Sequence, residues 1–230
     1  MSKLIVLEGL DGSGKSTQVK KVLSYFQEKN LKHQFFHFPM YGHNKFSQTI
    51  EMFLRGEFGD NNDVDPYFVA NNYAMDRFMF KPELEKALEE NDVVFLDRYV
   101  FSNIAYQCAK TTNTDERDKL HDWINEFEFN FLKLPYPNLI MYLDVPIDVI
   151  RERLAQKREG SDRTYLNGKE DIHEKDTDFL TKVAEVYQTI KDHRYKNYKI
   201  IETVTQDKVL SPDELFENYV VQLETVLYYE

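Results

Sequence analysis

Apolar residues gather in five short runs, Leu4–Leu7, Gln34–Phe38, Val93–Leu96, Leu139–Leu143 and Lys199–Glu202. The first, third and fourth are continuous rather than alternating in polarity, as in strands covered on both faces. Around them, apolar residues recur at helical spacing over Lys15–Glu28, Lys45–Arg55, Pro66–Glu89, Thr114–Leu132, Pro146–Lys157, Asp176–Asp192 and Pro212–Tyr229. Strands alternating with helices from end to end predict βαβ crossovers, hence an α/β fold with a parallel sheet covered on both faces. Two helix starts are marked chemically. Asp65-Pro66 and Ser211-Pro212 each set a capping side chain before a proline at the first helical position, and Glu214 completes a capping box with Ser211.

No internal repeat, low-complexity tract or Pro/Ser-rich linker interrupts the 230 residues, so one domain spanning 1–230 is expected. Gly56–Asp65, rich in glycine and acid, reads as a loop. Lys157–Asp171 is charged, carries Gly160 and Gly168 and interrupts two helices. By composition it is a solvated surface loop; by position it is also a lid candidate. Trp123 lies with Leu120, Ile124, Phe127 and Phe131 at helical spacing, a stripe assigned to packing in the core or at a subunit interface.

A hydrophobic fraction of 42% is ample for a buried core. The net charge of −11 argues against bulk binding of nucleic acid or of an anionic membrane. Any anionic ligand must therefore be held by a few positioned cations. No apolar run approaches the roughly 20 residues of a membrane-spanning helix. Met1-Ser2-Lys3 leads straight into the first strand, so no signal peptide is expected, and the single Cys108 excludes an internal disulfide. These features suit a soluble cytoplasmic protein. Cys108 and the six histidines form no cluster with metal-ligand spacing.

Chemistry enters with Gly9-Leu10-Asp11-Gly12-Ser13-Gly14-Lys15-Ser16-Thr17, a complete phosphate-binding loop directly after the first strand. Its glycines let successive backbone N–H groups turn toward phosphate oxygens, Lys15 reaches the β- and γ-phosphates, and the Ser16 hydroxyl suits Mg²⁺. The helix opening at Gly14–Lys15 aims its positive end at the same anion. Such a loop serves kinases, switch GTPases and motor ATPases alike, and three further segments narrow the field. Asp97-Arg98 closes the third apolar run, where residues of open α/β sheets do their chemistry. There Asp97 suits a Mg²⁺ shell or the orienting of an attacking oxygen, and Arg98 a bidentate phosphate clamp; the plain alternative is a surface ion pair. Tyr73 and Arg77, four apart on a helix, share a face that suits a flat base, although without context they read as a core tyrosine beside a surface arginine. In the lid candidate, Lys157, Arg158 and Arg163 suit the charge that spreads over a transferring phosphoryl group. Asp11 inside the phosphate loop faces phosphate at an electrostatic cost unless it contacts something else, such as a sugar hydroxyl.

Leu7-Glu8 with the phosphate loop, Phe38-Pro39, Tyr73…Asp76-Arg77, the stretch Asp97-Arg98-Tyr99-Val100-Phe101-Ser102-Asn103-Ile104-Ala105-Tyr106-Gln107, Leu143-Asp144-Val145-Pro146 and Asp162-Arg163 together resemble the thymidylate kinase (dTMP kinase) family. The stretch 97–107 is the most specific of these. The resemblance spans most of the chain. It implies a P-loop NTPase fold, a three-layer αβα sandwich around a five-stranded parallel sheet with a lid near 157–171. It implies phosphoryl transfer from ATP to dTMP, giving ADP and dTDP with Mg²⁺, and a homodimer formed through helices. By the same resemblance Asp11 binds the sugar 3′-hydroxyl, Arg98 the dTMP phosphate, and Tyr73 stacks on thymine. Arg77 reaches a thymine carbonyl, Asn103 and Gln107 line the base site with Phe38 and Pro39, and Tyr106 crowds the 2′ position. Gly9, Gly12, Ser13, Gly14, Lys15, Ser16 and Thr17 hold ATP, Asp97 supports Mg²⁺, and Asp162 beside Arg163 belongs to the substrate site.

Two departures matter. Some relatives carry a basic residue where this chain has Gly12, and those without it place arginines in the lid, which makes Arg158 and Arg163 the catalytic candidates. Many relatives have an arginine shortly after Phe-Pro; here Met40-Tyr41 comes next, so the Tyr41 hydroxyl is expected to help hold the dTMP phosphate, with Arg98 the main clamp. Arg153 is a weaker candidate for packing on adenine. A deoxynucleoside kinase, the alternative enzyme, needs a base near the 5′-hydroxyl, usually in Glu-Arg-Ser, whereas this chain has Asp97-Arg98-Tyr99. A guanine-nucleotide switch needs Asn-Lys-x-Asp, and Asn44-Lys45-Phe46-Ser47 fails that pattern. A regulatory ATPase gives no reason for the base-site residues.

Overall fold

The computed structural model describes residues 2–155, 165–166, 168, 171–190, 195–205 and 208–229. Five strands, β1 (Lys3–Gly9), β2 (His33–His37), β3 (Val93–Asp97), β4 (Leu139–Asp144) and β5 (Tyr198–Glu202), form one parallel sheet in the order β2-β3-β1-β4-β5. Each coincides with a predicted apolar run to within two residues. The helices are α1 (Lys15–Glu28), α2 (Lys45–Leu54), α3 (Pro66–Met79), α4 (Lys81–Glu90), α5 (Val100–Cys108), α6 (Thr114–Asn125), α7 (Ile147–Ala155), α8 (Ile172–Lys175), α9 (Thr177–Ile190) and α10 (Pro212–Tyr228). A two-stranded hairpin, β6 (Val204–Thr205) with β7 (Lys208–Val209), precedes α10.

The continuous apolar runs are explained by two cores. Leu4, Val6, Val94, Leu96, Ile140 and Tyr142 pack against Ala74 of α3, Leu84 of α4, Ile104 of α5, Ile124 of α6 and Val183 of α9. Their neighbours Ile5, Leu7, Val93, Phe95, Leu139 and Met141 face the other way, onto Val22 and Phe26 of α1 and Tyr219 and Leu223 of α10. Successive residues of a strand point to opposite faces. Burying each such side chain contributes roughly 1.5–3 kcal/mol, so neither face tolerates polarity. The expected α/β fold with a five-stranded parallel sheet between helical layers is the fold found.

The predicted helix Pro66–Glu89 is two helices. Pro82 has no N–H to bond Phe78 and its ring crowds that carbonyl, so the ladder breaks at Phe80. The Phe80 ring is anchored there, 4.9 Å from Phe36 and 5.7 Å from Phe38. The predicted helix Thr114–Leu132 stays α-helical only to Asn125 and continues as a π-helical turn over Glu126–Phe131. The wider turn shifts the direction in which its side chains point. Glu128 is turned inward and fully buried, while Phe131 is 74% exposed. Trp123, Phe127 and Phe131 stack in a row at 5.0 and 5.6 Å.

Helix α5 falls where no helix was expected. All of its residues except Ser102 are buried, so it carries no polar face to give a helical period. The short α8 and the β6–β7 hairpin were likewise not anticipated. The predicted ends of α7 at Lys157 and of α9 at Asp192, and most of the lid candidate with Arg158, Asp162 and Arg163, lie outside the described residues. Among the described residues, no helix is long and apolar enough to cross a membrane.

Candidate active site

The carboxyl ends of β1, β2 and β3 lie side by side, with Leu7 and His37 both in register with Asp97. The phosphate loop leaves β1 there. Gly14, at φ 91°, is the N-cap of α1 in the left-handed region that side chains disfavour, and no side chain caps the helix. Gly12 is left-handed as well, at φ 84°, and a Cβ on Gly9 would stand 2.7 Å from Ser13 Oγ, so the curl favours glycine at all three positions. Lys15 Nζ donates to the Gly9 and Leu10 carbonyls at 3.0 and 2.9 Å. Burial, reinforced by Arg98 and opposed by Asp97, Asp11 and Glu8, pulls its pKa down to about 8. Arg153 of α7 donates from Nη1 to the Gly12 carbonyl at 3.0 Å, on the phosphate-loop side.

Asp97 and Arg98, read from sequence as one possible ion pair, have different partners. Asp97 Oδ2 lies 3.2 Å from His37 Nδ1 on the neighbouring strand, while Asp97 Oδ1 is buried with no hydrogen-bond partner. Burial raises the Asp97 pKa, but the His37 bond, Lys15 and Arg98 outweigh it and hold the carboxyl below its ordinary value. Arg98 has a left-handed backbone, φ 66°, and turns its Nη2 to Asp11 Oδ1 at 2.8 Å and its Nη1 to Ser102 Oγ at 3.1 Å. The Tyr106 hydroxyl donates to Asp11 Oδ2 at 3.2 Å, and the Arg98 guanidinium lies over the Tyr106 ring, 5.4 Å from its centre.

Arg77 is not a surface arginine. Its Nε and Nη2 donate to the two oxygens of Glu128, both at 2.6 Å, and both residues are buried. Asn103 Nδ2 donates to Glu128 Oε1 at 2.9 Å and to the Ala70 carbonyl at 3.0 Å. Nothing in the sequence sets Glu128 apart from Glu126, both flanking Phe127 in a segment where the helical period fails. Asp76 is structural, accepting the Met40 N–H at 2.8 Å and Asn44 Nδ2 at 2.7 Å beside the Phe38-Pro39 turn. Asn103 Oδ1 and both amide atoms of Gln107 are buried without partners.

One cavity brings these groups together. Asp11, Lys15, Ser16, Phe38, Pro39, Tyr41, Tyr73, Arg77, Asp97, Arg98, Asn103, Tyr106 and Gln107 all line it, while Gly9, Gly12, Ser13, Gly14, Thr17 and Arg153 do not. Lining residues not assigned to the site from the sequence include His37, Ser102, Glu174, Tyr165, Asp171 and His173; Tyr165 and Asp171 belong to the lid candidate 157–171. The Tyr41 ring stacks on Tyr165 at 4.1 Å, and Tyr165 donates its hydroxyl to Asp171 Oδ2 at 2.9 Å. His173 packs against Tyr106, ring centres 4.9 Å apart. Burial, with help from Lys110, pushes His173 down to about 3, so it is neutral at physiological pH. Burial and the nearby Asp11 push Asp171 up to about 7. Tyr165 and Asp171 are marked only as members of the lid candidate and His173 not at all; the packing of elements remote in the chain brings them to the cavity.

Two measurements test this geometry. Glu128→Ala strands the Arg77 cation in the core and is expected to cost about 3–5 kcal/mol in urea unfolding, with Glu128→Gln milder. A loss under about 1 kcal/mol, the size of a surface pair, would contradict the buried geometry. Asp171 binds a proton more tightly folded (about 7) than at its ordinary 3.8, so it makes stability fall as pH rises between those values. Asp171→Asn should remove that component, and parallel stability–pH curves for the two proteins would contradict it.

Residues 7–211 match the thymidylate kinase family model. A thymidylate kinase of Mycobacterium tuberculosis is 32% identical over 187 residues, which are 80% of this chain and 83% of that protein. One of Ligilactobacillus salivarius is 28% identical over 212 residues, 90% of this chain and 93% of its own. A solved structure of thymidylate kinase from Candida albicans has the same fold, with a TM-score of 0.67 over 97% of this chain and 92% of that one at 22% identity. With the family's pattern running through both the phosphate loop and the stretch from Asp97 to Gln107, the chain belongs to the thymidylate kinase family.

Proposed function

We propose that this chain transfers the γ-phosphoryl group of ATP to the 5′-phosphate of dTMP, giving ADP and dTDP with Mg²⁺. The observation that supports it most directly is the cavity's lining: Arg98 stands beside Asp11 of the phosphate loop, and the partnerless Gln107 amide and Asn103 Oδ1 line the same cavity. A nucleoside monophosphate complements that lining, with an anion at one end and a hydrogen-bonding base edge at the other.

In this reading the protein acts by positioning and charge, not by a covalent intermediate. Arg98 clamps the acceptor phosphate, with Tyr41 beside it. Asp11 and Tyr106 meet the sugar, Asp11 at the 3′-hydroxyl and Tyr106 where a 2′-hydroxyl would sit. Tyr73 stacks on the base, and Arg77, Asn103 and Gln107 read its edge, Arg77 steadied by Glu128. Lys15 and the amides of Gly9, Gly12, Ser13, Gly14 and Thr17 cradle ATP, with Arg153 near the adenine. Ser16 and the orphaned, ionised Asp97 Oδ1 are hard oxygen donors that fit Mg²⁺, which when bound neutralises charge on the phosphates. Arg158 and Arg163 supply further charge to the transferring group from the lid, where Asp162 contributes to the substrate site. A nucleoside kinase needs a proton acceptor at the 5′-hydroxyl, and Arg98, a permanent cation, cannot be one.

The chain is further read as a cytoplasmic homodimer with no nucleic-acid or membrane partner. The free, buried Cys108 fits a reducing compartment, which cell fractionation would check. A second copy would cover the exposed aromatic strip of Phe131, Phe68 and Tyr67, which packs edge-on against Trp123 at 5.1 Å. Light scattering should return twice the monomer mass, with Phe131→Glu lowering it; a monomeric parent protein would exclude the dimer.

ADP release measured over a panel of acceptors should be strongest with dTMP and weaker with dUMP. Turnover of thymidine equal to or above that of dTMP would sink the monophosphate assignment. Arg98→Ala should raise the dTMP KM and depress kcat; an effect confined to ATP affinity would remove Arg98 from the acceptor site. Arg158→Ala and Arg163→Ala should lower kcat far more than ATP binding, and unchanged turnover in both would locate the catalytic charge elsewhere.

A further inference from the structure

Glu8 has no part in the phosphoryl transfer itself, yet it is a fully buried carboxylate with four hydrogen bonds. It is the penultimate residue of β1, one step beyond Leu7, which pairs with Asp97. Opposite Glu8, strand β3 leaves the sheet and the chain turns through Arg98 into α5. The Glu8 side chain takes over where the backbone ladder stops. Its Oε1 accepts the Tyr99 N–H at 2.9 Å and the Ser102 N–H at 3.2 Å, and its Oε2 accepts the Ser102 hydroxyl at 2.5 Å and the Tyr187 hydroxyl at 3.0 Å.

Tyr99 is the N-cap residue of α5 and makes no side-chain cap of its own. Glu8 therefore caps α5 from another strand, its Oε1 accepting the N-cap N–H and the N–H three residues on, two donors that the helix itself leaves without a partner. Arg98 is caught between these contacts. Its N–H bonds the Leu7 carbonyl at 2.9 Å on one side, and the Tyr99 N–H is pinned by Glu8 on the other. A non-glycine residue at φ 66° persists only where its surroundings hold it there. The guanidinium is held as well, because Ser102 Oγ, which donates to Glu8, accepts from Arg98 Nη1 at 3.1 Å.

We propose that Glu8 is the positioning residue of the acceptor clamp: by gripping Tyr99 and Ser102 it locks Arg98 in its left-handed turn and presents the guanidinium pre-aimed at the 5′-phosphate of the nucleotide. This rests on the assignment of Arg98 to that phosphate. Glu8 touches no reactant and acts only through Arg98 and Ser102. A pre-aimed clamp loses little freedom on binding, so its worth appears in affinity for the phosphate and not for the rest of the nucleotide.

The test is a binding comparison by calorimetry with two ligands, dTMP and thymidine, which differ in the phosphate alone. Glu8→Gln keeps the volume but replaces one accepting oxygen with an NH₂ donor. It should weaken dTMP binding about tenfold or more while moving thymidine binding and ATP KM less than about twofold. Placed in an Arg98→Ala background, Glu8→Gln should change dTMP affinity by less than about twofold, because two residues acting as one unit are not additive. Should Glu8→Gln fail to fold, Ser102→Ala cuts the link from Glu8 to the guanidinium and should weaken dTMP selectively in the same way. Equal losses for dTMP and thymidine, or additive effects of Glu8→Gln and Arg98→Ala, would reduce Glu8 to a core residue and overturn the proposal. Unchanged dTMP affinity in Arg98→Ala alone would instead refute the phosphate assignment, a distinct failure.

Discussion

The parallel pairing of β1 with β3 is the constraint on which the site depends. Because Leu7 stands opposite Asp97, the phosphate loop and the Asp97–Arg98 turn leave the sheet at the same level and on the same edge. The pairing of β2 with β3 adds His37 and the Phe38-Pro39 turn at that level. Three segments separated by up to ninety residues of chain thus share one small volume, for which the apolar cores on both faces of the sheet supply the stabilisation. A shift of one residue in the β1–β3 register would turn both apolar sets to the wrong cores and move Asp11 away from Arg98.

Within that frame, charge is managed by pairing. The chain carries a net charge of −11, and its cavity sets Lys15, Arg77 and Arg98 among the acids Asp11, Asp97, Asp171 and Glu174; both arginines are already engaged, Arg98 with Asp11 and Arg77 with Glu128. Such buried pairs contribute little net stability, because desolvation offsets attraction, but each partner removes rotational freedom from the other. The guanidinium groups are therefore oriented by the protein itself. Lys15 makes the contrast. Its hydrogen bonds go to neutral carbonyls, and burial with Arg98 nearby weakens its hold on a proton.

The same logic explains which parts of the molecule were legible in the residues alone. The strands were readable because a run such as Val93–Leu96 must satisfy two cores at once, and the phosphate loop because its curl favours glycine. Helix α1 was readable to the residue, its start dictated by Gly14. Helix α5 was not, since burial on every side removes the polar face that betrays a helix. The break at Phe80 was signalled by Pro82 and overridden by an apolar pattern that ran through it.

Local sequence by itself determined the five strands of the sheet, the amphipathic helices between them, the phosphate loop and the kind of chemistry that loop performs, because those depend on periodicity and backbone sterics within a few residues. Only the tertiary structure decided the partners: Arg77 with Glu128 of the π-helical turn, Asp97 with His37 across a strand pair, and Tyr41 with Tyr165, stacked although remote in the chain. Those choices rest on distances between segments remote in the chain. A hydrogen bond between two such segments is specified by where their elements pack, and no local pattern in either element encodes the position of the other.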